Sequence, residues 1–391
     1  MTDVWVTAMG LVAPLRPFDT IDAFWDALTS GEDSIKLQPP PLLNTKKGWL
    51  TASIEIGNAL RPEDKFFYIA GAALKMAIED SRLSAEELQG ADMVIGSILG
   101  NVLSRERQLI DGNIQNRTVE ASLSYPVRCL GQRFAIGGRL RAISTACASG
   151  TDAVGIAART IKTGEAEVVI AGGVDVLSDF ALAGFNLLQA LTEDKVRPFD
   201  KKRSGLALGE GAAFLVLEAE RHALARGAKC YGRVLGYASR ADASHLTAPH
   251  REGRGLASAI TAALSQSGLR QYDINYINAH GTATVYNDLM ETKAIKLALG
   301  EAAYTTYVSS TKSMLGHAFG ASGVIESLCA LMAIKTGVIP PTINYRYPDP
   351  QCDLNYVPNT AKATPVGAAM SLSAGFGGQN AAVIFGRPTK I

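Results

Sequence analysis

The chain has 391 residues, 47% of them hydrophobic, so it is long enough for two domains or one compound domain with a substantial core. Its 38 lysines and arginines nearly balance its 37 aspartates and glutamates, which excludes a global attraction to nucleic acid or to membrane surfaces. The five cysteines are scattered, without CxxC pairs or histidine-rich spacing, so we expect no metal, no disulfide framework and a reducing cytoplasm.

Strand-like and helical segments alternate along the chain, which predicts an α/β protein. The opening "MTDVWVTAMGLVAPL" predicts a strand rather than an export leader, and the longest apolar runs are too short to cross a bilayer. The pattern restarts near Tyr231, which indicates two diverged halves packed as one unit. Strands are expected at 4–9, within 91–100, at 168–171 and 212–217, near 231–241 and at 274–278, and helices at 153–163 and up to Gly337.

One cysteine and two histidines lie in small-residue, glycine-rich settings. Cys147, in "STACASGTD", lies between the apolar stretch around Ile143 and an alanine-rich helix. A free cysteine is most often a small core residue, whereas the start of a helix would lower the pKa of the thiol and make it a nucleophile. His280, in "NAHGTAT", follows a predicted strand, and His317 lies in a glycine-flanked loop ahead of a helix.

These three residues favour acyl chemistry. A thiolate can hold an acyl group as a thioester, and two imidazoles can stabilise an enolate by hydrogen bonds. A hydrolase would instead need one base and an orienting carboxylate or amide. A cysteine protease would leave the second histidine without a role.

Five segments in order, "STACASGTD", "RPFDKKRSGLALGEGAA", "INAHGTAT", "SSTKSMLGHAFGASGVIES" and "GFGGQN", resemble elongating β-ketoacyl-acyl carrier protein synthases (ketosynthases) of the thiolase superfamily. The likeness spans essentially the whole chain. It implies a thiolase-like five-layer α-β-α-β-α fold built from two duplicated halves. Residues 1–229 would carry the nucleophile, and residues 230–391 would carry the histidine pair.

The resemblance also implies a reaction and its residues. Cys147 would be acylated, and His280 and His317 would assist decarboxylation of malonyl-acyl carrier protein and its Claisen condensation with that acyl group. Lys312 matches a buried lysine that supports the histidines, and Glu326 matches its partner acid, for which a purely structural salt bridge is an equal alternative. No organic cofactor is implied, because the substrates travel on the phosphopantetheine arm of acyl carrier protein.

Further residues match the family's binding positions. The backbone N–H groups of Cys147 and Phe376 would form the oxyanion hole, with Phe376 as the gate. Carrier docking is assigned to local positive charge, although solvated surface charge is the alternative for each residue. The substrate positions are Thr282, Thr284, His245, Thr247, Ala374, Gly375 and Gly377, and the docking positions are Arg61, Lys65, Arg197 and Lys201.

The chain departs from the family pattern at its C-terminal loop. Where many relatives read "NSFGFGGTN", it reads "LSAGFGGQN", with Leu372, Ala374 and Gln379 replacing asparagine, phenylalanine and threonine. The smaller Ala374 predicts more space near the acyl pocket. A specialised polyketide or polyene synthase is therefore a rival to a synthase of fatty-acid elongation.

Individual residues distinguish this chain from other members of the superfamily. A silent chain-length partner subunit is the main alternative, but it would not need Cys147 together with both histidines. Thiolases use a second cysteine where this chain has "GFGGQN", and priming synthases carry asparagine in place of His317. We expect a homodimer, or a heterodimer with a chain-length-factor-like ketosynthase, formed through the edge strands that precede the nucleophile.

Overall fold

The computed structural model describes residues 2–43, 48–57, 60–112 and 122–388. The strands are β1 (Val4–Val12), β2 (Lys36–Gln38), β3 (Trp49–Ala52), β4 (Asp92–Gly96), β5 (Leu140–Ile143), β6 (Val168–Asp175), β7 (Leu208–Gly209), β8 (Gly211–Ala219), β9 (Gly232–Ala241), β10 (Tyr276–Asn278), β11 (Tyr307–Ser309), β12 (Val338–Ile339), β13 (Asn355–Tyr356), β14 (Lys362–Ala363), β15 (Ala368–Gly375) and β16 (Gln379–Gly386). The helices are α1 (Ile21–Thr29), α2 (Lys65–Ser81), α3 (Ala85–Gly90), α4 (Val102–Ile110), α5 (Ser124–Arg133), α6 (Ser149–Lys162), α7 (Asp179–Leu187), α8 (Glu220–Ala225), α9 (Arg254–Ser267), α10 (Val285–Leu299), α11 (Lys312–Leu315) and α12 (Ser322–Thr336).

The two halves repeat one strand-pairing pattern. In the first half, β8 lies antiparallel between β1 and β6, and β4 lies parallel between β6 and β5. In the second half, β16 lies antiparallel between β9 and β15, and β10 lies parallel between β15 and β11. A short antiparallel contact between β1 and β9 joins the halves into one sheet of eleven strands. The repeated pairing is what a duplication would leave.

Helices cover both faces of each half-sheet. Helix α2 packs on β1 and β8, while α9 packs on β9 and β16 with α10 against it. Helices α6 and α12 pack against each other between the half-sheets and share one apolar cluster with strands of both halves. Strands β1 and β8 are buried along their whole length, as expected for strands covered on two faces. The predicted five-layer thiolase-like fold is confirmed.

The helix predictions differ from the structure mainly at one boundary. Helix α6 begins at Ser149 rather than at 153, because residues 149–152 are buried inside the fold and continue the helix. Helix α12 ends before Gly337, as predicted. Within the described residues, the segment 319–336 is long and apolar enough to span a membrane, but 89% of it is buried in the protein, so its composition is that of a core helix.

The fold brings the polar loops of both halves together. Cys147 follows β5, His280 follows β10, and both Lys312 and His317 follow β11. Each of these strands belongs to the parallel part of its half-sheet. The chemistry therefore gathers at the carboxyl ends of parallel strands, where open α/β sheets bind ligands.

Candidate active site

Cys147 lies on a tight turn that leads into α6. The preceding residue, Ala146, has a φ of 51°, in the left-handed region that side chains other than glycine rarely adopt. The Ser149 hydroxyl accepts a 2.9 Å hydrogen bond from the Thr145 N–H and donates one of 2.5 Å to the Ala146 carbonyl. These bonds hold the turn, and the side chain of Cys147 is 6% exposed.

The thiol of Cys147 is neutral in the resting site. Burial raises the pKa of the thiol from 9.0 to about 11, and the opposing effects of the Lys312 charge and the Phe376 N–H do not overcome it. The expectation that the helix start leaves Cys147 with a lowered pKa is therefore wrong, because the loss of hydration outweighs favourable charges and dipoles. The thiol must lose its proton during attack.

The ring of His317 is fixed in one tautomer by its own loop. Its Nδ1 accepts a 2.9 Å hydrogen bond from the Phe319 N–H, and the Ser322 hydroxyl lies 3.3 Å from the same atom. Because Nδ1 is an acceptor, the proton of the neutral ring is assigned to Nε2. Nε2 is buried and has no hydrogen-bond partner in the described part of the chain. His317 therefore offers a free N–H donor.

His280 is placed by its backbone. The Glu291 carboxylate on α10 accepts hydrogen bonds of 2.6 Å from the His280 N–H and 2.8 Å from the Gly281 N–H. The ring centroids of His280 and His317 are 5.3 Å apart, and the ring planes are nearly perpendicular. Burial and then the Lys312 charge lower the pKa of His280 well below 6.5 and that of His317 to about 3. Both imidazoles are thus neutral at physiological pH.

Lys312 and Glu326 form a buried ion pair behind the histidines. Their side chains are 3% and 2% exposed, and the Lys312 Nζ is hydrogen-bonded to the Glu326 Oε1. Burial raises the pKa of Glu326 to about 7, against the opposing effect of Lys312. Lys312 starts α11 and Glu326 lies on α12, so the pair joins the two elements that flank His317. This geometry puts a positive charge near both imidazoles, where it acts on their pKa values.

The three reactive side chains lie close together. The Cys147 sulfur and ring nitrogens of His280 and His317 all lie within 4.8 Å of one another. They line a cavity of about 300 Å³ together with the predicted gate Phe376 and five of the predicted substrate positions, Thr282, Thr284, Thr247, Ala374 and Gly375. His245 and Gly377 are not among the lining residues of this cavity. The exposed His245 ring instead accepts hydrogen bonds from the N–H groups of Thr247 and Ala248 in its own loop.

The C-terminal loop closes over the thiol. The Phe376 N–H acts on the Cys147 thiol and lowers its pKa, and the Phe376 ring stacks on Phe185 at 5.5 Å. A Cβ at Gly375 would lie 2.9 Å from the Cys147 nitrogen, so only glycine permits this approach. Of the departures from the family pattern, Ala374 lines the cavity and Leu372 is buried in the core of the second half.

Two carboxylates that position the site were not singled out in the sequence. Glu291 holds the His280 turn as described above. Asp175, at the end of β6, accepts hydrogen bonds of 2.7 Å from the Ser97 hydroxyl, 2.9 Å from the Leu99 N–H and 2.7 Å from the Gly320 N–H. Gly320 follows His317 by three residues, so Asp175 ties the His317 loop to the first half. An aspartate ending the apolar strand "VVIAGGVD" was the available signal.

The predicted docking cations differ in their environments. Lys65 has little charge free for docking, because its side chain is 12% exposed and forms an ion pair with the fully buried Glu210, and its docking role stays a prediction. Arg61 is exposed but pairs with Asp64 at 2.9 Å. Arg197 is 15% exposed and pairs with Asp194 at 2.6 Å, and Lys201 is exposed. Only a part of the predicted positive surface is therefore free to meet an acidic partner.

One group of buried atoms lies close enough together to hold an ion. A soft metal would suit the sulfur and imidazole nitrogens, but it requires a thiolate, and the raised pKa of Cys147 opposes this. The side chains of Asn278 and Ser371, register partners on β10 and β15, and the Oε2 of Glu326 lack hydrogen-bond partners among the described residues. Water or a hard cation would satisfy such oxygen atoms. The absence of a functional metal stays a prediction.

Comparisons with known proteins agree with the geometry. Residues 1–223 match the family described as beta-ketoacyl synthase, N-terminal domain, and residues 231–346 match its C-terminal domain. The 3-oxoacyl-[acyl-carrier-protein] synthase 2 of Synechocystis sp. is 37% identical over 406 residues, covering 98% of this chain and 97% of that protein.

Solved structures show the same likeness. A type II polyketide ketosynthase, solved with its acyl-carrier protein and bound to the hexaketide, has a TM-score of 0.92 at 30% identity and covers 99% of this chain and all of that chain. The ishigamide ketosynthase/chain length factor has a TM-score of 0.91 at 31% identity, and the match covers 99% of this chain and 100% of that chain.

Proposed function

The chain belongs to the β-ketoacyl synthase family, and from that premise we propose that it is an elongating ketosynthase. It is an acyltransferase that condenses an acyl group on Cys147 with malonyl-acyl carrier protein, giving a β-ketoacyl-acyl carrier protein two carbons longer. The observation that carries this proposal is the meeting of one thiol and two neutral imidazoles within 4.8 Å in one cavity.

The first stage loads Cys147. The thiol attacks the carbonyl carbon of an acyl thioester, and the backbone N–H groups of Cys147 and Phe376 stabilise the oxyanion. The carbon–sulfur bond to the carrier breaks, and the departing carrier thiolate receives the proton that Cys147 gives up. Because the pKa of the Cys147 thiol is about 11, the resting group carries its proton, and the proton leaves during the attack. The hydroxyl oxygens of Thr282 and Thr284 lie 3.0 Å apart, and both residues line the cavity, where they are placed to bind the phosphopantetheine arm.

The second stage makes the carbanion. Malonyl-acyl carrier protein loses carbon dioxide, and the electron pair of the broken carbon–carbon bond becomes an enolate. The Nε2–H of His317 is an unoccupied donor for the enolate oxygen, and His280 is its neighbour. Neutral rings suit this role because they donate without protonating the carbanion, and the Lys312 charge behind them favours the negative charge.

The third stage forms the new bond. The enolate carbon attacks the Cys147 thioester, and the sulfur leaves with the electron pair. The negative charge of the malonyl carboxylate thus ends on Cys147, while carbon dioxide departs neutral. Since the pKa of the thiol is about 11, the sulfur takes one proton from solvent in each cycle.

The partners follow from the reaction and from the relatives. A solved ketosynthase of this type binds an acyl-carrier protein, which supports acyl carrier protein as the partner here, with the exposed Lys201 and Arg61 and the less exposed Arg197 as candidate contacts. Another relative is a ketosynthase/chain length factor pair, which supports a heterodimer as well as a homodimer. Strand β5 is an edge strand of the sheet, so it is available for pairing between subunits.

No step of this cycle needs a metal or an organic cofactor, and free cysteines suit a cytoplasmic enzyme. The relatives include a 3-oxoacyl-[acyl-carrier-protein] synthase and a polyketide ketoacyl synthase alike, so the acyl chain that is accepted decides the pathway. Ala374 lines the cavity, and its small side chain leaves space for bulky or unsaturated acyl chains that a phenylalanine at this position would exclude.

Acyl loading followed by intact mass measurement tests the proposal. We expect the wild-type enzyme and Cys329→Ala, which removes another buried thiol, to gain one acyl group from acyl carrier proteins. Cys147→Ala should gain none. Preference for polyenoyl over saturated chains would assign a specialised pathway and the reverse would assign fatty-acid elongation, whereas loading that persists in Cys147→Ala would overturn the nucleophile.

A further inference from the structure

A buried carboxylate beside the nucleophile has no role in the cycle above. Asp152, on the first turn of α6, is 2% exposed. Its Oδ2 accepts a 2.5 Å hydrogen bond from the Thr145 hydroxyl, and its Oδ1 accepts one of 2.8 Å from the Tyr237 hydroxyl. Burying a carboxylate is unfavourable unless such bonds satisfy it, so its retention needs a reason.

Thr145 connects Asp152 to the reactive turn. It lies two residues before Cys147, and between them Ala146 adopts the left-handed φ of 51°. A side chain in that region is strained and persists only where the surroundings determine the backbone. The Thr145 side chain is held by Asp152 and its N–H by Ser149, so both bonds restrain the residue that enters the strained turn.

Tyr237 brings the second half of the chain to the same carboxylate. It lies on β9, and its ring passes over α6 at Gly155, where a Cβ would fall 2.0 Å from the ring. Glycine at 155 therefore permits the ring to lie flat on the helix and the hydroxyl to reach Asp152. The contact joins the half that carries the nucleophile to the half that carries the histidines.

We propose that Thr145, Asp152 and Tyr237 form a positioning brace that sets the Cys147 sulfur against the histidine pair. None of the three is placed in contact with substrate, so they act through the backbone of the Cys147 turn. The catalytic role of this brace rests on the proposed function, but its effect on the reactivity of Cys147 does not depend on the substrate. Decarboxylation of malonyl-acyl carrier protein should be insensitive to the brace, because that step uses the histidines rather than the sulfur.

The test removes single hydroxyl groups. Thr145→Val and Tyr237→Phe each delete one bond to Asp152 and keep the shape of the side chain. Thr145→Ser restores the hydroxyl and serves as the conservative variant. Tyr231→Phe is the matched control, because the hydroxyl of Tyr231, also half-buried, bonds the distant carboxylate of Asp80 at 3.1 Å. The first readout is the rate of Cys147 alkylation by iodoacetamide, which is monitored by the mass of the peptide that contains Cys147. The second is kcat and KM for acyl loading, and the third is the rate of malonyl-acyl carrier protein decarboxylation.

We expect Thr145→Val and Tyr237→Phe to lower Cys147 alkylation and the kcat of loading by about 10- to 100-fold, as for a small misplacement of a reacting atom. KM and decarboxylation should not change, and Thr145→Ser and Tyr231→Phe should behave as wild type. Alkylation that is equal in Tyr237→Phe and Tyr231→Phe would overturn the brace, as would a parallel loss of alkylation and decarboxylation. A wild-type enzyme that accepts no acyl group would refute the proposed function, while the alkylation comparison would still decide on the brace.

Discussion

The buried pair of Lys312 and Glu326 allows a prediction that separates stability from catalysis. In Lys312→Met, the Glu326 carboxyl keeps its buried position and loses its partner. Removing one member of a buried ion pair costs about 3–5 kcal/mol of unfolding free energy. In Lys312→Met/Glu326→Leu, apolar side chains fill the same space, and this cost should fall to about 1 kcal/mol or less. The pair is thus expected to serve catalysis rather than stability.

The sign of the pH dependence follows from the raised pKa of Glu326. In the folded protein the pKa of this carboxyl is about 7, against 4.5 ordinarily, so the folded state holds more protons between these values. The stability that the neutral carboxyl contributes is present below pH 4.5 and is lost as the pH rises through about 7. Without Lys312 the pKa rises further, so the deficit of Lys312→Met should be larger at pH 8 than at pH 5.

Urea unfolding at both pH values measures these differences, and carbon dioxide release from malonyl-acyl carrier protein measures catalysis. We expect both Lys312 variants to release carbon dioxide about 10- to 100-fold more slowly, because they lack the charge behind the histidines. Lys335→Met changes a residue on α12, the helix that carries Glu326, and breaks an exposed pair with Asp22 on α1, so it should change neither property. Normal decarboxylation by the double variant would show that the Lys312 charge has no catalytic role, and an undiminished stability of Lys312→Met at pH 8 would show that Glu326 needs no partner.

Three further predictions follow from the cavity. Cys147→Gln should keep or increase malonyl-acyl carrier protein decarboxylation while abolishing condensation, and unchanged condensation would refute the nucleophile. With the pKa of His317 at about 3, decarboxylation by that variant should show no acid limb near pH 6.5 in stopped-flow rates, and such a limb would show that a ring is protonated there. Gly375→Ala should lower acyl loading about 100-fold, since its Cβ would displace the Cys147 backbone, and loading at the wild-type rate would contradict that approach.

Much of the fold and the reactive residues could be predicted from local patterns. The thiol and both histidines lie in short glycine-rich segments that follow strands, and the family resemblance drawn from them is confirmed by matches over both halves. The start of α6 was misplaced because burial, rather than local propensity, continues the helix through Ser149. Propensity is a weak guide where tertiary packing decides.

Long-range pairs could not be predicted in this way. Lys65 looked like a surface cation, and only the fold brings it to Glu210, which lies 145 residues further along the chain. The same holds for Asp175 at the His317 loop and for Tyr237 at Asp152. The pKa of Cys147 was misjudged for a related reason, because sequence indicates the helix start but not the depth of burial that dominates the thiol.

A single-turnover experiment shows whether Cys147 and the two histidines form a carbon–carbon bond. Enzyme acylated on Cys147 is isolated, mixed with malonyl-acyl carrier protein, and the carrier is analysed by intact mass. We expect a β-ketoacyl carrier whose acyl chain is two carbons longer, with one carbon dioxide released per acyl group consumed. Release of the acyl group as a free acid, with the carrier left as malonyl or acetyl, would contradict carbon–carbon bond formation at this site.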